Sequence, residues 1–230
     1  MEEEAMAKED AGEVKKLLTN VANLTSGIVE RQREIVNEMV SSSASFMAAC
    51  KVSALMQKAR AEIASKIMDA LREEVKSRQV FDGWALKDQL ASLLIENGRY
   101  TGFWLEREAV DKPYDIYCEF QARGALRDMF FGLTRRDEKR NEAVAFLHAA
   151  EKSGKLKLKY IFYAEDQPGW LYGRYPLHSE QRTWPDDLLA RLIDHEQRHQ
   201  FAVVLANLLQ TLLEEAAEVE KLICLEQQGK

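Results

Sequence analysis

His195-Glu196-Gln197-Arg198-His199 is the sharpest chemical pattern in the chain. On a helix, histidines four apart share one face and could both ligate zinc, with the glutamate as general base. That pattern would make a zinc hydrolase with His195 and His199 as metal ligands. It fixes only three positions, and a further ligand must come from elsewhere. Glu214 and Glu215 fall on what reads as the same unbroken helix, roughly 22 Å away at about 1.5 Å per residue. His148 and His178 lie on other segments and are alternative sources. The plainer reading is a polar turn on a helix otherwise used for packing.

A second group is acidic. Glu106 falls on one predicted strand, with Glu119 and Gln121 on the next. Two acids on adjacent strands can hold magnesium, and a lysine or its substitute two residues on can position the attacking water. Gln121 would stand where that chemistry prefers lysine, and the plainer reading is a solvated strand face. A third group is basic: Arg135, Arg136, Lys139 and Arg140, with Lys155, Lys157 and Lys159 further on. Beside Tyr160, Phe162, Trp170 and Tyr172 these could grip a nucleic-acid backbone or a base. Asp137, Glu138, Glu142 and Glu151 dilute the patch toward an ordinary mixed-charge surface.

The elements that must position these groups follow from pattern. The chain has 230 residues, 46% hydrophobic and 30% charged, which is ordinary for a folded protein. A net charge of −6 is not that of a dedicated duplex-DNA binder, which usually needs a basic face. Cys50, Cys118 and Cys224 are far apart and have no metal-like spacing, so they read as free thiols in a reducing cytoplasm. The acidic N-terminus carries no secretory pattern, and Phe201 to Leu213 is too short for a bilayer span of about 20 residues.

Val14, Val21, Ile28 and Ile35 are seven apart, with Leu17 and Leu24 on the complementary seam, which turns polar at Arg31 and Glu38, so the coiled-coil-like part lasts about three heptads. This is the pattern of a helix packing lengthwise on another helix. Ser41-Ser42-Ser43 predicts a bend or cap. A second helix runs through Val52, Met56, Ala59, Ile63, Ile67 and Leu71, and Asp82-Gly83 ends it. Residues 1–80 thus read as a helical, coiled-coil-like arm and 81–230 as an α+β domain. In that domain 85–96 reads as a helix stopped by Asn97-Gly98. Strands follow near 100–105, 114–120, 129–134, 155–163 and 170–175, with a hairpin connection at 122–128 and a turn at 166–169. A helix is expected over 141–152. A long final helix is expected over about 186–226, too apolar to face water on any side. The fold expected is therefore α+β, a small antiparallel sheet of three to five strands between long helices.

Tyr117-Cys118-Glu119-Phe120, Phe130-Phe131-Gly132-Leu133, Gly169-Trp170 and Trp184, followed by a Leu- and Phe-rich helix, carry a resemblance. Residues from about 100 to 213 resemble the C-terminal region of bacterial and phage proteins of the PD-(D/E)XK nuclease-like superfamily. The resemblance implies a relative without an intact nuclease motif and a role in phage–host conflict or antiviral defence. It carries no catalytic residue over to this chain.

These readings converge on a non-enzymatic interaction, adaptor or regulatory protein without a bound cofactor. It would meet a protein partner or further copies of itself through its N- and C-terminal helices, with nucleic acid as a further partner and no membrane. The alternative is a metal-dependent hydrolase: zinc at His195 and His199, or magnesium at Glu106 and Glu119.

Overall fold

The computed structural model describes residues 29–96, 98, 101–107, 109, 112–122, 125–136, 139–153 and 170–228. The heptad positions Val14 to Ile28, the strand expected over 155–163 with Lys155, Lys157 and Lys159, and the turn at 166–169 lie outside them. The chain divides into two units, one ending at Met56 and one running from Gln57 to Lys230.

In the first unit, helix α1 (Val29–Met39) precedes helix α2 (Ser43–Ser77), whose first fourteen residues belong to this unit. The serine run breaks the helix as its chemistry predicts. The Ser42 hydroxyl accepts the Ser45 backbone N–H at 3.1 Å, and the Ser41 hydroxyl donates to the Glu38 carbonyl at 2.7 Å. Side-chain oxygens thus replace helical backbone partners over these residues.

The second unit opens with the remainder of α2. Gly83, in the left-handed region at φ 78°, turns the chain out of the short 3₁₀ turn Gln79–Phe81. Strand β1 (Trp84–Asp88) and helix α3 (Leu90–Ile95) follow. The single helix expected over 85–96 is therefore corrected to a strand and a six-residue helix. Pairing decides the strand: β1 lies antiparallel on β2, with Leu86 opposite Leu105. Asp88 then accepts the Leu90 N–H at 3.3 Å and starts α3.

Among the described residues, strands β2 (Thr101–Arg107), β3 (Tyr114–Phe120), β4 (Met129–Arg135) and β5 (Trp170–Arg174) join β1 in an antiparallel sheet of order β1-β2-β3-β4-β5. Asp128 takes the left-handed conformation, φ 55°, in the β3–β4 connection, a geometry Asp tolerates better than most residues. On one sheet face Phe103, Leu105, Ile116, Cys118, Phe120, Phe131 and Leu133 are fully buried or nearly so. They share one core with Ile67, Met68 and Leu71 of α2, Phe146 of α4 (Arg140–Ser153), and Leu205, Leu209 and Leu212 of α7 (His195–Gln228). Trp184 joins this core, edge-on to both Phe120 and Phe201 at 4.9 and 5.3 Å.

The long final helix is broken. Two short helices, α5 (Ser179–Arg182) and α6 (Asp186–Arg191), come first, and α7 starts afresh at His195. Asp194 makes the break: its carboxylate accepts the Gln197 N–H at 3.0 Å, an N-cap. Arg198 holds the open end of α6, donating to the carbonyls of Leu192 and Ile193 at 3.0 and 2.9 Å. Nor is α7 apolar on every side. Asn207, Thr211, Glu214, Glu218 and Lys221 are exposed at helical spacing, while Ala202, Ala206, Leu209, Ala216 and Val219 are buried.

Among the described residues no single helix is long and apolar enough to cross a membrane; α1 and α2 reach that composition only when taken together across their sharp bend.

Candidate functional site

His195 and His199 occupy the first turns of α7 and both are exposed. Glu196, between them, accepts from the Gln200 amide at 3.0 Å. Glu214 and Glu215 do lie on the same helix, and Glu215 is paired with Arg174 at 3.0 Å. His148 sits exposed on α4, and His178 precedes α5, also exposed. Among the described residues no three His, Cys, Asp or Glu side chains converge on one point. A cleft of about 560 Å³ does open beside His195, lined by Lys66, Asp69, Arg72, Glu73 and Lys76 of α2. Its charges already answer one another: Arg72 pairs with Asp69 at 2.7 Å and with Asp88, and Lys76 with Glu73 at 3.1 Å.

The acidic pair is set apart by register. Glu119 stands opposite Gly102 and Glu106 opposite Ala85. Four positions of β2 therefore separate the carboxylates along the strand, about 13 Å at the usual rise. Glu119 accepts from the Gln121 amide at 2.6 Å. Burial pushes its carboxyl above the ordinary range, against that hydrogen bond. Burial likewise raises the Tyr117 phenol, helped by the neighbouring Glu119 charge.

The basic residues are largely committed to structure. Arg136 is buried and clamps Asp115 through Nε and Nη2 at 2.8 and 2.5 Å, with a further bond to the Arg107 carbonyl at 2.8 Å. Lys139 pairs with Glu142 at 2.9 Å. Arg135 ends β4 and Arg140 begins α4.

Pattern reading missed a run of aromatic rings across the sheet. Trp104 stacks on Tyr117 at 5.4 Å, Tyr117 meets Trp170 edge-on at 5.9 Å, and Phe130 meets Trp170 at 4.9 Å. These rings sit opposite one another only once the register is set, so the sequence sets Trp170 beside the basic group but not its neighbours Trp104, Tyr117 and Phe130. Gly102 belongs to the same face, where an added Cβ would run into the Cys118 carbonyl of the facing strand.

Among the described residues, most of the exposed large apolar side chains lie in the first unit. Between Val29 and Met56 no residue is buried. Val29, Ile35, Val36 and Met39 of α1 are 41–56% exposed, and Phe46, Met47, Val52, Leu55 and Met56 of α2 are 47–63% exposed. From Val40 to Met56 the only charged residue is Lys51. At about 3.6 residues per turn the five α2 side chains fall on all sides of the helix rather than along one stripe. Monomeric folded proteins rarely expose contiguous apolar patches of more than a few hundred Å².

No protein-family model, no curated protein and no solved structure matches the chain, so the site is read from its own residues.

Proposed function

We propose that this is a non-enzymatic interaction protein. The first unit is its docking element, and the sheet and helices of the second unit form the folded body to which that element is attached. One observation carries the reading: the unbroken exposure of large apolar side chains from Val29 to Met56. A helix that is apolar all round is ordinarily buried, so its solvent-facing state is the unassembled one. The arm expected from the heptad spacing supports the same role, since Ile35 lies on α1 among the exposed residues. Cys50, Cys118 and Cys224 are free thiols, which fits a reducing, cytoplasmic setting.

The test is co-purification with a tagged full-length chain from its own cells, beside the variant Phe46→Asp/Leu55→Asp. The expected result is that protein recovered with the wild type is lost with the variant. Equal recovery with both would remove the docking role from these helices.

A further inference from the structure

We infer that the first unit is covered by a second copy of this chain, the apolar segment Phe46–Met56 of each copy packing against α1 and α2 of the other. The inference rests on the docking reading above and names its partner.

Three observations select this occupant. The first is area. Ten large apolar side chains between Val29 and Met56 are each about half exposed. They present on the order of 1,000 Å² of apolar surface, and one partner in a standard-size interface contributes roughly 800 Å². A patch of that size is large enough for a stable dimer.

The second is circumference. A single partner helix covers one stripe. Phe46, Met47, Val52, Leu55 and Met56 surround α2, so more than one neighbouring helix is needed. Two copies supply α1 and the first half of α2 twice over.

The third is charge. A lipid surface recruits a helix through clustered Lys and Arg beside its apolar face. Here Arg31 and Arg33 lie between Glu30 and Glu34, with Glu38 beyond, and Lys51 is the only charge from Val40 to Met56. Mixed signs at close spacing can be matched by the same sequence in a second copy. The heptad spacing of Val14, Val21, Ile28 and Ile35 has the period of helix-on-helix packing.

The experiment is light scattering on the purified full-length chain over a concentration series. The chain mass is 26.4 kDa. The wild type is expected at two or more chain masses. Phe46→Asp/Leu55→Asp is expected at one, with unchanged circular dichroism. A milder variant, Val52→Ser/Leu55→Ser, guards against misfolding and is expected to weaken association at least tenfold. A wild type of one chain mass throughout would overturn the inference, as would a multimer insensitive to both variants. So would a monomer that floats with phosphatidylcholine–phosphatidylglycerol vesicles, which would make lipid the occupant. A monomer that still captures a different protein, and loses it in the Asp variant, would end this inference but leave the docking reading standing.

Discussion

Leu55 and Leu71 stand on the same helix about four turns apart. The first is 63% exposed and the second is 0% exposed. Neither residue type nor helix propensity separates them. What separates them is company: Leu71 shares a core with the sheet and α7, whereas Leu55 belongs to a unit in which nothing from Val29 to Met56 is buried. The second half of α2 is part of a fold, and its first half leaves its large apolar side chains exposed. The contrast teaches that an apolar periodic segment states a need for burial without stating whether the same chain or another one meets it.

The sharpest way to break this comparison is to cut both leucines. Leu71→Ala is expected to cost about 2–5 kcal/mol in denaturant unfolding, because the emptied core site cannot collapse fully. A cost near zero would show that the second half of α2 is no more integral than the first. Arg136→Ala comes next, at about 3 kcal/mol, since it leaves Asp115 half-buried without its clamp. If gel shifts at low salt fell while stability held, Arg136 would instead serve nucleic acid. Asp194→Ala is expected to cost about 1 kcal/mol by uncapping α7, read in the same unfolding transition.

Glu119→Gln tests the sheet through pH. Burial holds the Glu119 carboxyl above its unfolded value, so its stabilising contribution is complete below the unfolded pKa and is lost as pH rises through the folded one. The variant is therefore expected to melt above wild type at pH 7 and level with it at about pH 3. The same difference at both pH values would contradict a half-buried, titrating carboxyl. The smallest effect is Leu55→Ala. Under dilute conditions where association is absent, it is expected to change unfolding by less than about 0.5 kcal/mol. Under concentrated conditions the same change should weaken association.

Much of the second unit was legible beforehand. Tyr114 to Phe120 alternates, and the structure pairs it as a strand whose odd face is solvent-side and whose even face is core. The helix expected to begin near 186 does start there, after Pro185, and in the first unit Ser41-Ser42-Ser43 breaks the helix as expected. The stretch from Ala85 to Glu96 misled because a short apolar run satisfies either period until a neighbouring strand chooses. The final helix misled because capping by Asp194 and the grip of Arg198 on α6 depend on side-chain geometry rather than on Gly or Pro.

The candidate sites show the same division. His195 and His199 had to share a helical face, because that follows from spacing alone. Whether other ligands would join them depended on segments far apart in the chain, and the structure places His148 and His178 on α4 and before α5. Glu106 and Glu119 were assigned to neighbouring strands correctly, but the register that sets them about 13 Å apart is a property of the pairing. The amino-acid order thus determined helices, strands, turns and the demand for apolar burial, all of which arise from local sterics and periodicity. Only the tertiary structure decided which half of α2 had that demand met within its own chain, because burial is a relation between segments and not a property of one.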